Sequence, residues 1–266
     1  MNNLNLNNLK IIEEISYPYP IIIYSNLLKN NQLEELQASL SKEETSFDKT
    51  VMGNRRTILK GTTNFENFIK KNDVSRSINQ FFDKKEIFEF FYQNLQNLNK
   101  KNPYNFYFSY KKFNFFKNFI NRKSSKVLFK FKNRITKSLF SISNNCGVYC
   151  DFDFSVAGNG YAREPHFDSK ERILNFLFYI NNFSGKEGGN FQIYKYKQTP
   201  KEYIQQPSIK DLLIFKNLEP KKGSLVTFLS SPQSIHGVDK INNNKEKRYF
   251  FYGSYTSIKE IEWKKY

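Results

Sequence analysis

Hydrophobic positions along this chain follow two periods. In roughly the first hundred residues they recur at helical spacing. "YPYPIIIYSNLLKNNQLEELQASLSKEE" opens with a β-branched run, Ile21 to Tyr24, that predicts a short strand. Leu33, Leu36 and Leu40 then fall on one helical face, with Asn30 or Asn31 as the expected cap. Residues 55–61 read as a turn or a weakly extended segment. Helices are predicted over 66–71 and within 74–98, where Phe81, Phe82, Phe88 and Phe91 supply the apolar repeats. Residues 100–140 carry the weakest pattern and lean helical.

After about Ser143 the period shortens to two. "CGVYCDFDFSVAG", "RILNFLFYINNF", "GGNFQIYKY", "GSLVTFLS", "HGVDKI" and "KRYFFYGSYTS" are short β-rich runs divided by Gly, Pro, Asn and Ser. That is the pattern of an antiparallel barrel or jelly roll. There is no βαβ alternation, glycine-rich phosphate loop or internal repeat. "KQTPKEYIQQPSIKDLLIFKNLEPKK", residues 197–222, reads as a long insertion between two strands. Its length suits a lid or recognition loop and equally an inert surface excursion. The expected class is α+β. An α-rich part with an opening strand (1–142) packs on and props up a barrel (143–258), and a short tail follows (259–266).

Composition sharpens this picture in two places. The 266 residues provide ample core, with 39% hydrophobic and 25% charged residues, as in a globular rather than a disordered chain. No run approaches the roughly 20 apolar residues of a membrane span, and "MNNLNLNNLKII" lacks the form of a signal peptide. A soluble, cytoplasmic protein is therefore expected. Cys146 and Cys150 are too few for a disulfide framework and read as reduced thiols near a core. The net charge of +17 is uneven. Twelve basic residues lie between Phe90 and Cys150 with no Asp or Glu, and aromatics interleave them in "NFYFSYKKFNFFKNF". The basic part, 100–137, reads as a solvated face or as a contact for nucleic acid or another polyanion.

Candidate chemistry centres on "GYAREPHFDSK", residues 160–170. His166 and Asp168 stand at i and i+2, so on a strand both side chains share one face. His236, the only other histidine of the chain, lies 68 residues after Asp168, and Arg248 follows twelve residues later. Two imidazoles and one carboxylate on one side of an octahedral ion form the facial triad of non-haem Fe(II) oxygenases. Three positions stay open there for a chelating 2-oxo acid and O2. The far carboxylate of the oxo acid needs a fixed cation, which arginine supplies in bidentate form. Lys247 competes for that role, but strand alternation admits only one of the two inward.

These residues and their surroundings resemble the 2-oxoglutarate and Fe(II)-dependent dioxygenase superfamily, and look closest to its prolyl-4-hydroxylase-like branch. "GYAREPHFDSKERILNFLFYINNF", "GKEGGNFQIYK", "KGSLVTFLSSPQSIHGVDKI" and "KRYFFYGSY" occur in the family's order, and the resemblance covers roughly 145–258. It implies a double-stranded β-helix, a jelly-roll or cupin-like barrel supported by the N-terminal helices. It implies that His166, Asp168 and His236 bind iron and that Arg248 pairs with the C5 carboxylate of 2-oxoglutarate. Tyr179 matches the position whose hydroxyl often helps hold that carboxylate. Asn175 and Leu177 share its strand face, Phe250 and Tyr252 follow Arg248, and Tyr161 sits where substrate or cofactor contacts are made. The implied cofactors are Fe(II) and the cosubstrate 2-oxoglutarate, with ascorbate as an auxiliary reductant. Halogenases of the superfamily lack the carboxylate ligand, so Asp168 favours hydroxylation with release of succinate and CO2. A tyrosine found upstream in some prolyl hydroxylases has Val156 or Ala157 in its place, so prolyl specificity does not follow. The primary substrate, small molecule or protein side chain, is not legible.

Three other readings compete. A zinc hydrolase or structural zinc site uses the same ligand types, with Glu164 as the nearest base, but leaves Arg248 and Tyr179 without a role. Against a barrel that binds a ligand, metal or polyanion without catalysis stands the intact ligand set together with Arg248. A nucleic-acid-directed demethylating oxygenase would use both the triad and the basic run, though no base-flipping or stacking motif is present.

Overall fold

In the computed structural model, which describes residues 4–50, 54–100, 106–110, 148–242, 245–257 and 261–265, strands precede, interrupt and follow the helices. β1 (Lys10–Ile15) and β2 (Ile21–Ser25) lead to α1 (Asn30–Glu43). β3 (Asp48–Lys49) and β4 (Arg55–Leu59) precede α2 (Thr63–Lys71), α3 (Asp73–Phe82) and α4 (Lys85–Asn99). Next come β5 (Phe106–Tyr110), β6 (Val148–Ala157), β7 (Arg163–His166), β8 (Arg172–Tyr179) and β9 (Phe191–Tyr196). The chain continues through β10 (Leu212–Leu218), β11 (Leu225–Leu229), β12 (His236–Val238), β13 (Arg248–Ser257) and β14 (Ile261–Lys265).

Twelve of the fourteen described strands form two facing sheets, and β5 and β14 pair separately. The larger has the order β1-β2-β11-β8-β13-β6-β4-β3, the smaller β10-β9-β12-β7. All ladders are antiparallel, and the double-layer arrangement is the jelly roll expected from the strand pattern. Period-2 alternation sorts the large sheet. From β8, Leu174, Phe176 and Phe178 point to the helices, while Leu177 and Tyr179 point to the small sheet. β13 does the same, with Tyr249, Phe251 and Tyr255 outward and Phe250 and Tyr252 inward. The sheet is therefore buried on both faces, and its central strands read as near-continuous apolar runs.

The helices cover the outer face with aromatic side chains. Phe82 stacks on Phe176 with ring centres 4.2 Å apart, and Phe65 and Phe68 pack on Phe154. Caps fix where the helices begin. Thr62 Oγ1 accepts from Phe65 N at 3.3 Å, and Asn72 Oδ1 accepts from Ser75 N at 2.7 Å.

Several local expectations are corrected. Residues 55–59 form a full strand, because β4 pairs with β6 from Arg55↔Ala157 to Leu59↔Asp153. α1 begins at Asn30, capped from Lys29, whose N–H donates to Gln32 Oε1 at 2.9 Å. The 74–98 stretch splits in two because Lys84 is extended, and Asp83 at the break pairs with Lys60. The 197–222 insertion contains β10, which pairs along β9 and lengthens the small sheet. Residues 106–110 are strand rather than helix and pair with β14 of the tail. The rest of the 101–147 stretch, including most of the basic run and Cys146, lies outside the described residues. Cys150 is buried, and burial pushes its thiol pKa up, as fits an inert core thiol. No described helix is long and apolar enough to cross a membrane.

Candidate active site

The three candidate ligands meet at one end of the small sheet. His166 ends β7, His236 begins β12, and the two are register partners across the ladder. Their ring centres lie 4.4 Å apart. Gly237 permits this approach, since a Cβ there would lie 2.7 Å from the Arg163 carbonyl oxygen. Asp168 lies just beyond β7, outside any strand, and reaches the pair from the following turn. Its Oδ2 is 3.5 Å from His236 Nε2 and its Oδ1 4.0 Å from His166 Nε2. One ligand atom from each residue falls within 4.8 Å of the others, and all three residues are buried.

Backbone carbonyls set the imidazole tautomers. His166 Nδ1 lies 2.8 Å from Glu164 O, and His236 Nδ1 lies 2.8 Å from Ser234 O. A carbonyl only accepts, so each Nδ1 carries the proton and each Nε2 keeps its lone pair, that of His166 accepting from Arg163 Nε at 3.3 Å. Burial, with His236 alongside, lowers the His166 pKa to about 3, and burial lowers that of His236 as well. Both are neutral at physiological pH. Burial alone would raise the Asp168 pKa, but Arg172, the two histidines and Tyr252 together hold it at about 2. Arg172 Nη1 donates to Asp168 Oδ1 at 2.8 Å, and Tyr252 OH donates to Oδ2 at 2.8 Å. Two neutral imidazoles and one carboxylate converging in this way suit a divalent ion such as Fe(II).

A second feature lies deeper in the barrel. Arg248, 1% exposed, opens β13 and donates through Nη1 to Gly189 O at 2.8 Å. Its guanidinium lies 5.0 Å from the Tyr179 ring centre and 4.6 Å from that of Phe250. Arg248 Nε, Tyr179 OH and Asn175 Nδ2 are buried polar atoms with no hydrogen-bond partner among the described residues. Each such group costs about 1–3 kcal/mol unless a ligand satisfies it. Burial raises the Tyr179 pKa to about 12, against the pull of Arg248, so its hydroxyl stays a donor.

A cavity of about 200 Å³ is lined by the triad and by Arg248, Tyr161, Phe250 and Tyr252. A larger groove of about 620 Å³ runs between β1 and β10. The triad does not line it and lines the smaller cavity instead.

Residues 152–255 match the model of the 2OG-Fe(II) oxygenase superfamily. The barrel belongs to that superfamily. Comparison with curated protein sequences finds no match. Among solved structures, a Trichoplax adhaerens prolyl hydroxylase, in complex with a hypoxia inducible factor oxygen degradation domain peptide fragment, shares the fold. It is 12% identical with a TM-score of 0.51, over 89% of this chain and 83% of that one. A Pseudomonas putida prolyl-4-hydroxylase is 12% identical with a TM-score of 0.44, over 90% and 93% of the two chains. The viral collagen prolyl hydroxylase of Paramecium Bursaria Chlorella virus-1 is 11% identical with a TM-score of 0.41, over 89% and 94%. As a 2OG-Fe(II) oxygenase, the protein is a dioxygenase that uses Fe(II) and 2-oxoglutarate.

The oxygenase barrel brings the sequence-derived residues together. His166, Asp168, His236, Arg248 and Tyr161 line one cavity, and Tyr179 and Asn175 adjoin it through Arg248 and Tyr252. Asp168 leaves the strand that the i, i+2 spacing assumed. Lys247 turns outward to Glu44 at 2.7 Å, as alternation with Arg248 requires. Arg55, Asp153, Arg163 and Arg172 also line the cavity and were not singled out in the sequence. Strand parity offers a signal for Asp153, which shares the inner face of β6 with Ala157. Nothing local offers one for Arg55.

Proposed function

We propose that this oxygenase hydroxylates its primary substrate at an iron held by His166, Asp168 and His236, with 2-oxoglutarate anchored by Arg248. The observation that carries this reading is the group of partnerless buried atoms beside the converging triad. When bound, the Fe(II)–2-oxoglutarate pair supplies the oxidising chemistry, consuming O2 and releasing succinate and CO2. The chain's own residues supply orientation and exclusion of water. Arg248 Nε and Tyr179 OH would donate to the C5 carboxylate, which cancels their burial penalty. Asn175 Nδ2 would donate to the same cosubstrate, and Tyr161 lines its approach. Tyr252 and Arg172 hold both oxygens of Asp168, so the carboxylate presents a fixed face to the metal. Leu177, Phe191 and Phe250 dry the cavity.

We place the oxygenase unit at 143–258 and the supporting part at 1–142. An anaerobic titration with Fe(II) and 2-oxoglutarate tests the site assignment. Wild type should develop the weak visible charge-transfer band of the chelate. His166→Ala and Asp168→Ala should lose it, and Arg248→Ala should need at least tenfold more 2-oxoglutarate. A band that survives in Asp168→Ala would remove the carboxylate from the ligand set.

A further inference from the structure

Arg55 lies outside the family-matched segment, yet strand register carries it into the oxygenase cavity. β4 and β13 flank β6, and Arg55 and Arg248 are both register partners of Ala157. The two arginines therefore stand two strands apart on the inner face, roughly 10 Å by ordinary strand spacing. Ala157 between them carries only a methyl group. Both guanidinium groups lie against one ring, Arg248 at 4.6 Å and Arg55 at 5.4 Å from the Phe250 centre.

Arg55 is 9% exposed and held along one edge. Nε donates to Ser155 Oγ at 3.0 Å, and Nη2 donates to Ser155 Oγ at 2.8 Å and Asp153 Oδ1 at 2.6 Å. Asp153 and Ser155 are themselves hydrogen-bonded. Nη1 has no hydrogen-bond partner among the described residues. The guanidinium plane is thus oriented, with a donor edge left for a ligand. A buried ion pair alone is weak evidence of function. The charge balance of the cavity adds a second observation. Four guanidinium groups line it, from Arg55, Arg163, Arg172 and Arg248, against the two carboxylates of Asp153 and Asp168. Fe(II) and the 2-oxoglutarate dianion are neutral together, so loading them leaves the positive excess in place. In so small and buried a space that excess favours an anion.

We propose that Arg55, oriented by Asp153 and Ser155, is the anion subsite for the primary substrate, which is a small molecule bearing a carboxylate or phosphate. This rests on the oxygenase reading above, with Arg248 committed to 2-oxoglutarate. A neutral substrate would leave the free edge of the Arg55 guanidinium without a charged partner.

The test uses the full chain loaded with Zn(II), a redox-inert stand-in, and saturating 2-oxoglutarate. Acetate, inorganic phosphate and acetamide are titrated in, with ligand-observed NMR for affinity and the 15N resonance of Arg55 Nε–H for location. At least one anion should bind saturably and move the Arg55 resonance, while acetamide should not. Acetate against phosphate then decides the anion class. Arg55→Gln should weaken the bound anion about tenfold, the scale of one charge-assisted hydrogen bond. Arg55→Lys keeps a cation beside Asp153 and should bind at intermediate strength; it serves if Arg55→Gln does not fold. Anion affinity unchanged in both variants would assign the binding to surface lysines and overturn the proposal. So would equal binding of acetamide. Absence of the Fe(II)–2-oxoglutarate band in wild type would be a separate failure, of the oxygenase site assignment itself.

Discussion

Burial keeps His166 and His236 neutral, against the opposing pull of Asp168 and of their backbone acceptors, and this couples the site to acid stability. The unfolded chain protonates a histidine below its ordinary pKa of about 6.5, whereas folded His166 resists until about pH 3. The unfolded state therefore binds more protons in that window, and stability of the metal-free protein falls as pH falls. Between pH 6.5 and 5 the loss should be roughly 2 kcal/mol from His166 at about 1.4 kcal/mol per pH unit. His236 shifts in the same direction and adds to it. Urea unfolding at pH 7 and pH 5 checks this, and His166→Asn should flatten the dependence. An unchanged slope in that variant would place the acid-sensitive group elsewhere. Asp168, whose carboxyl Arg172 and its neighbours hold at about 2, contributes stability that is present above the unfolded pKa of about 3.9 and is lost as pH falls toward 2.

At the scale of elements, the large sheet must serve two cores at once. The face toward the small sheet carries the site, and the opposite face is sealed by α2, α3 and α4 through stacked phenylalanines. Phe82 is the centre of that seal, touching Phe91, Phe152, Phe176 and Phe251. Phe82→Ala should cost about 3–5 kcal/mol, the usual range for a buried phenylalanine. Chemical denaturation measures the loss. The triad lies on the other side of the sheet, so 2-oxoglutarate affinity of the folded variant should stay within about twofold; a large loss would mean that the helices also set the site's geometry.

At the scale of the whole molecule, net charge and its placement bear on partners. The chain carries +17, and its acid-free stretch holds twelve of the basic residues. Such a field favours polyanions whatever the catalytic substrate is. We expect measurable, salt-dependent binding of single-stranded DNA or RNA that weakens when Lys111, Lys112 and Lys117 are all changed to Gln. Fluorescence anisotropy at 50 and 200 mM salt would show it, and no binding at the lower salt would remove a nucleic-acid partner. The anion subsite at Arg55 is inside the barrel, so that triple variant should leave acetate and phosphate affinity unchanged.

Local sequence was enough for the candidate ligand types, their order along the chain and the two hydrophobic periods, because these are read directly from the residues and their spacing. His166, Asp168, His236 and Arg248 were legible in this way, as was the inward alternation of Asn175, Leu177 and Tyr179. Tertiary structure decided the rest. The break at Lys84, the strand at 55–59 and the strand inside 197–222 each depend on a partner distant in sequence or on packing. Arg55 shows the physical reason most plainly. Its place opposite Ala157, and so beside Arg248, is set by pairing registers across three strands. Register is a property of the assembled sheet, where one face must be buried, and no local propensity encodes which distant residue will lie opposite.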